Sequence, residues 1–241
     1  MTSPSSGSRS GPGLNASHDD DAEGYDAQRR GSWMSSRRLA YTLKHLDRAA
    51  ASLVLEVGSG TGALLLDVAA ARPNLRFVGV EPLPNYVEYA NARARGLGLP
   101  NVTFCEGTGE ILPAEVKGEL FDMVLSTDTL HHVVDQAAVT RNVHAVTKAG
   151  GAWLAMEPNR LNPYMLAYHL LTAGERNFSP QRFLRDAQAA GWSRVGLDRL
   201  FLIPSAVESP SGWMQTAERR LERVPVLAGG VAVLLRKPAA A

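Results

Sequence analysis

The chain has 241 residues, 45% of them hydrophobic and 20% charged, with 25 basic against 24 acidic side chains and a net charge of +1. This fits one α/β domain with a full core and leaves no electrostatic footprint for a nucleic acid as partner. A single cysteine, Cys105, rules out an internal disulfide and suits a reducing compartment. No apolar run reaches the roughly 18 residues of a membrane span and no signal-peptide core stands near the start, so the expectations are no membrane partner and a cytoplasmic location.

Residues 1–24 are rich in Ser, Gly, Pro and Asp and read as a disordered tail ahead of one domain over 25–241. From Tyr25 the composition changes. Trp33, Met34, Leu39, Tyr41, Leu43 and Leu46 supply the apolar side of one or two helices, and residues 25–50 are expected to form a lid. Leu53–Val57 reads as a strand buried on both faces, which breaks into Gly58-Ser59-Gly60-Thr61-Gly62 before a helix from Ala63. Glycines at this junction allow positive φ and a close approach of ligand to backbone. Glu56 precedes the first glycine by two residues, and the spacing is G-x-G-x-G in place of the G-x-G-x-x-G of a dinucleotide site. A carboxylate here would repel a pyrophosphate and suits a cationic ligand.

Arg76–Pro82 is a second strand, ending in Glu81 about 20 residues after the last glycine, the interval at which an acid meets a ribose hydroxyl pair. A helix over Pro84–Arg95 follows. The third strand, Val102–Glu106, contains Cys105, read as a buried structural thiol, and runs into Gly107-Thr108-Gly109. The fourth, Phe121–Asp128, ends in Thr129-Leu130-His131-His132. The next helix repeats Val139, Val143 and Val146 and is expected to stop at Lys148-Ala149-Gly150-Gly151. The fifth strand, Ala152–Met156, closes on Glu157-Pro158-Asn159.

An added helix over Arg160–Asn177, with Leu161, Tyr164, Met165, Tyr168 and Leu171 on one side, makes 160–178 a helical insertion. Ser179-Pro180 reads as a cap with proline at the first helical position, Gly191 as the stop. Val195–Pro204 is strand six, Trp213–Arg223 a helix and Val231–Arg236 strand seven. Strands interleaved with helices predict a three-layer α/β sandwich. The pairs Arg29-Arg30 and Arg219-Arg220 read as solvated helix faces.

Several blocks, in order, resemble the class I S-adenosylmethionine (SAM) dependent methyltransferases, in particular the ubiquinone/menaquinone-biosynthesis-like (methyltransferase type 11) small-molecule group. They are Leu55–Gly62, Gly79-Val80-Glu81-Pro82, Phe121–Val124 with Leu130-His131-His132, and Gly150-Gly151 leading to Glu157-Pro158-Asn159. The resemblance covers about Tyr25 to Pro238. It implies a Rossmann-like, seven-stranded, mostly parallel sheet in the order 3-2-1-4-5-7-6 with the last strand antiparallel, and SAM as cofactor across the carboxyl ends of strands one to four. It assigns Glu56, Gly58, Ser59, Gly60, Thr61 and Gly62 to the methionine part, Glu81 to the ribose, Gly107, Thr108 and Gly109 to the adenine, and Thr127 to the path toward the sulfonium, with Pro82 also against the cofactor. Thr108 departs from the family, which often has an aspartate there.

Such a reaction is an in-line displacement that depends on holding the acceptor atom, with a base where that atom must lose a proton. The catalytic candidates are His131 and His132, whose imidazoles titrate near neutrality, and Glu157. Tyr25, Trp33, Asn159, Tyr164 and Tyr168 are the acceptor-binding candidates and imply an apolar or aromatic small molecule, in the manner of a secondary metabolite. Asp128, Glu157 and Asn159 resemble a magnesium set only loosely, and no metal is expected. The alternatives are a protein or RNA methyltransferase on the same fold, a non-catalytic SAM-binding protein, and a nicotinamide-dependent oxidoreductase. The acceptor, the atom methylated and the oligomeric state are not written in the sequence.

Overall fold

The structure, a computed structural model, describes residues 21–171 and 178–239, with the side chains of 168 and 169 left aside. Most of the expected tail (1–20) and part of the expected insertion (172–177) therefore lie outside the described residues. The chain becomes helical earlier than its composition suggests. Asp21 caps α1 (Ala22–Arg29) by accepting from Gly24 N at 2.8 Å, so residues 22–24, grouped above with the tail, belong to the helix. Ser32 caps α2 (Trp33–Ala49) in the same way through Ser35 N at 3.1 Å.

The strands are β1 (Leu53–Val57), β2 (Arg76–Glu81), β3 (Val102–Glu106), β4 (Phe121–Thr127), β5 (Thr147–Pro158), β6 (Ser193–Leu200) and β7 (Gly230–Arg236). Between and after them run α3 (Ala63–Ala71), α4 (Pro84–Gly96), the short α5 (Ala114–Lys117), α6 (Gln136–Ala145), α7 (Pro163–Leu171), α8 (Pro180–Ala189) and α9 (Gly212–Leu221). The sheet order is β3-β2-β1-β4-β5-β7-β6, with β7 antiparallel to both neighbours.

Both faces of the sheet are covered, which is why its central strands lack an alternating polar side. Val54, Phe77, Met123 and Leu154 pack under α2, α3 and α4 with Leu46, Leu65 and Ala90. Leu55, Val57, Phe121, Val124 and Trp153 pack under α6 and α8 with Val139, Phe183 and Trp192. Parallel register puts Glu56 beside Gly79 and Leu125, and Thr127 beside Met156, so the carboxyl ends of β2, β1, β4 and β5 open on one edge. Among the described residues no helix is long and apolar enough to cross a membrane.

Three boundaries differ from expectation for local reasons. Lys148 to Gly151 do not end a helix: α6 stops at Ala145, and Phe121 pairs with Thr147 while Met123 pairs with Ala152, leaving Gly150 (φ +77°) in a bulge of β5. Strand six stops at Leu200 because Phe201 takes φ +63° and the next two amides turn to Glu218, with Leu202 N and Ile203 N donating to Oε1 at 2.9 and 3.0 Å. α7 starts later than Arg160, since Asn159 and Asn162 hold the chain in turns whose amides donate to their side-chain oxygens.

Candidate active site

The turn after β1 is shaped by positive φ at Gly58 (+71°), Gly60 (+55°) and Gly62 (+77°). Only one of the three faces open space. A Cβ on Gly58 would lie 2.3 Å from Thr129 Cγ2, and one on Gly62 2.7 Å from the Phe104 ring, so these two glycines serve packing. A Cβ on Gly60 would meet only Tyr25 Cε1, at 3.6 Å. Gly58 N and Ser59 N both donate to Val80 O, which ties the turn to β2.

Glu81 holds the same turn from its side chain: Oε2 accepts from Gly60 N at 2.8 Å and Oε1 from Leu83 N at 3.2 Å. Burial pushes its carboxyl up to about 7 despite those bonds. Glu56 is 2% exposed, and its Oε2 has no hydrogen-bond partner. Burial, followed by the neighbouring Glu81, pushes its carboxyl up to about 8 against the pull of Arg38. Ser59 Oγ, Thr127 Oγ1 and Arg38 Nε are also buried without a partner. Native proteins rarely leave such groups unsatisfied unless a ligand meets them. All four residues line one cavity of about 70 Å³, which shares walls at Tyr25, Gly58, Gly60 and Thr127 with a cavity of about 1590 Å³. Single small-molecule sites commonly measure about 300–1,000 Å³. The larger one has room for two ligands.

The two N-terminal helices are fastened over this cleft by charge. Asp26 accepts from Thr61 Oγ1 at 3.1 Å and from Arg93 Nη1 at 2.7 Å, clamping α1 to the glycine turn and to α4. Arg29 and Arg38 both donate to Asp128 Oδ2, at 2.7 and 2.6 Å. Burial would raise the Asp128 carboxyl, but the Arg38 and Arg29 guanidiniums outweigh it and hold it well below the usual carboxylate range. The Arg29-Arg30 pair is therefore no solvated face: Arg29 enters the cleft wall and Arg30 reaches Asp67 at 3.3 Å. Sequence spacing could not show this, because Arg29, Arg38 and Asp128 meet only through tertiary packing. The Tyr25 ring lies 5.3 Å from that of Tyr86 and 5.0 Å from the Arg29 guanidinium, and burial pushes its phenol up.

Beyond Asp128 the chain rounds a loop organised by Glu157. Its Oε1 accepts from Thr129 N and Leu130 N at 3.0 and 2.8 Å, and its Oε2 from His131 N at 3.3 Å and His131 Nδ1 at 2.8 Å. Both oxygens of Glu157 are thus occupied by the loop and by the His131 ring. A carboxylate that accepts all these bonds makes Nδ1 the protonated nitrogen and leaves the lone pair of the neutral ring on Nε2. The His132 ring stacks on it with centroids 4.0 Å apart, and both histidines line the larger cavity.

The remaining expected residues divide. Tyr25, Pro82, Thr108, Gly109, Thr127 and Tyr164 line the larger cavity, Ser59 and Thr61 the smaller. The Thr108 oxygen accepts from Ile111 N at 3.0 Å, so part of its capacity goes to its own turn, and Gly107 packs against Pro113. Two acceptor-binding candidates have side chains engaged elsewhere. Trp33 Nε1 donates to Glu218 Oε2 at 2.6 Å, pinning α2 to α9, and Asn159 spends its amide on Pro225 O and Ala228 O at 2.7 and 2.8 Å. Neither lines the cavity. The Tyr168 side chain lies outside the description. Asp128, Glu157 and Asn159 are committed to separate partners, and the described residues hold no cluster of three metal-ligating side chains. Cys105 is half-buried, with Sγ 3.6 Å from Gly79 O. Phe201 to Ala206, Val226 and Leu227 also line the larger cavity, on loops that carry no motif by which sequence reasoning could have found them.

Comparison with known proteins adds three findings. Residues 49–190 match the family model described as a methyltransferase domain. The chain is 33% identical over 108 residues to a ubiquinone biosynthesis O-methyltransferase of Methylobacterium nodulans, covering 44% of this chain and 41% of that protein. It is 30% identical over 155 residues to the protein of the same name from Pseudomonas aeruginosa, covering 60 and 64%. The match thus spans less than two thirds of these relatives' length. In fold it resembles the YcgJ protein of Bacillus subtilis, with a TM-score of 0.58 at 20% identity over 85% of this chain and all of that one. Since the matched domain takes in more than half of the chain, the glycine turn, both acids and the His131 loop included, this chain belongs to the methyltransferase-domain family.

Proposed function

We propose that the chain methylates a neutral, largely apolar small molecule, with an aromatic hydroxyl as the first candidate acceptor group. The observation that carries this reading is the join of two cavities: one lined by the unpartnered Glu56 oxygen, the other by apolar side chains around an oriented histidine. The names of the ubiquinone biosynthesis O-methyltransferases support an oxygen acceptor.

The residues present fit the cofactor. Glu56 and Thr127 offer free buried acceptors, Gly60 leaves the space beside its Cα open to the cleft, and Glu81 and Pro82 line the wall on which a ribose would be read. Arg29, Arg38 and Asp128 present both signs of charge to a zwitterionic amino-acid end. SAM, when bound, supplies a methyl carbon on a sulfonium leaving group. The protein's share is to orient the acceptor and take its proton: Met165 and Phe201 exclude water, and Nε2 of His131 receives the hydroxyl proton while Glu157 steadies the imidazolium.

A panel of acceptors offered with isotopically labelled SAM tests this. Label is expected in neutral hydroxylated aromatics and not in phosphorylated analogues, transfer RNA or protein. Transfer to RNA or protein at comparable rates would contradict it.

A further inference from the structure

Glu56 stands one residue before the end of β1, between β2 and β4, closed off from solvent, with one carboxylate oxygen that meets no donor. Glu81 faces it from β2 and Arg38 from α2. Arg38 is shared: it and Arg29 clasp Asp128, which His131 also faces from the loop beyond β4. The neighbouring charges Asp26, Asp67, Arg30 and Arg93 pair among themselves, and Tyr25 is a neutral phenol. Two guanidiniums therefore stand against three carboxyl groups in one buried cleft. With every acid ionised the site is one negative charge in excess; with one acid protonated it is balanced.

The two ligands of a methyltransferase cycle differ by that one charge, because SAM carries the sulfonium and S-adenosylhomocysteine does not. We propose that Glu56 is a charge selector, giving up a proton when the cationic cofactor enters and regaining one when the neutral product is left. The proton goes to solvent on loading and returns from solvent before or with product release. An uncompensated carboxylate in this environment is costly, so ionised Glu56 favours the cation, and protonation of Glu56 removes that preference. This inference rests on the cofactor reading above and adds a specificity-determining role to one residue of that site.

Calorimetric titration of the full chain at pH 7 in phosphate and in Tris, buffers of different ionisation enthalpy, counts the protons. SAM binding is expected to release between about half a proton and one proton, and S-adenosylhomocysteine close to none. SAM affinity should rise by up to about tenfold from pH 6 to pH 7, while product affinity stays flat. In Glu56→Gln the release should vanish and the preference for SAM over product should fall about tenfold. Equal proton counts for the two ligands in the wild-type chain would overturn the proposal and leave the cofactor assignment standing. Absence of binding by either ligand would overturn both. The wild-type comparison decides without the variant, should Glu56→Gln fail to fold.

Discussion

Gly60→Val is expected to lower SAM affinity at least about a hundredfold while the domain stays folded. Its Cβ would enter the cleft, with Tyr25 Cε1 at 3.6 Å its one neighbour within 4 Å among the described residues, and the branched side chain would occupy the space in which a ligand meets the turn. The residue would also hold φ near +55°, which costs a non-glycine residue on the order of 1–2 kcal/mol, a loss a folded domain of this size survives. Gly58→Ala supplies the contrast. Its methyl would collide with Thr129 at 2.3 Å, so this smaller change should cause the larger fall in melting temperature. Melting curves and calorimetry on the two variants separate the ligand-facing glycine from the packing one. Wild-type SAM affinity in folded Gly60→Val would mean that the turn does not touch the cofactor.

His131→Ala is expected to lose roughly 10²- to 10⁴-fold in turnover, the usual worth of a general base, with SAM affinity unchanged. His132→Ala should be nearly silent, because it leaves the His131 ring on the Glu157 carboxylate in place. Glu157→Gln separates positioning from structure. An amide cannot accept on both atoms, so this variant should melt at lower temperature and shift the pH-rate profile through a less firmly held imidazole. If His131→Ala keeps full turnover while methyl transfer is rate-limiting, the proton leaves without a base and the acceptor is an amine or an already acidic group.

How far the sequence could be read depends on where each interaction is local. β1 and β3 and the Ser179 cap were legible to the residue, because apolar runs, glycine breaks and capping patterns act over a few positions. The glycine turn and the two acids were legible because their spacing along the chain is itself the geometry. The failures share the opposite cause. Gly150-Gly151 looked like a helix stop, yet pairing with Phe121 and Met123 drew those residues into β5. Trp33 and Asn159 looked like pocket residues, but their partners lie on α9 and the segment before β7. Arg29, Arg38 and Asp128 were missed as a unit, since three charges on three elements leave no periodic trace. Tyr164 was placed on the cavity wall by its apolar helix, and at 74% exposed it stands at the rim.

Equilibrium binding decides whether the cleft at the carboxyl ends of β1 and β2 is a SAM site read by Glu56, the glycine turn and Glu81. SAM and NAD are titrated separately into the wild-type chain and into Glu81→Ala. SAM is expected to bind saturably at one site and NAD not to bind. Loss of the Glu81 acceptors removes charge-assisted bonds of roughly 1.5–3 kcal/mol, so Glu81→Ala should weaken SAM at least about tenfold. Saturable NAD binding in place of SAM, or unchanged SAM affinity in a folded Glu81→Ala variant, would contradict the account.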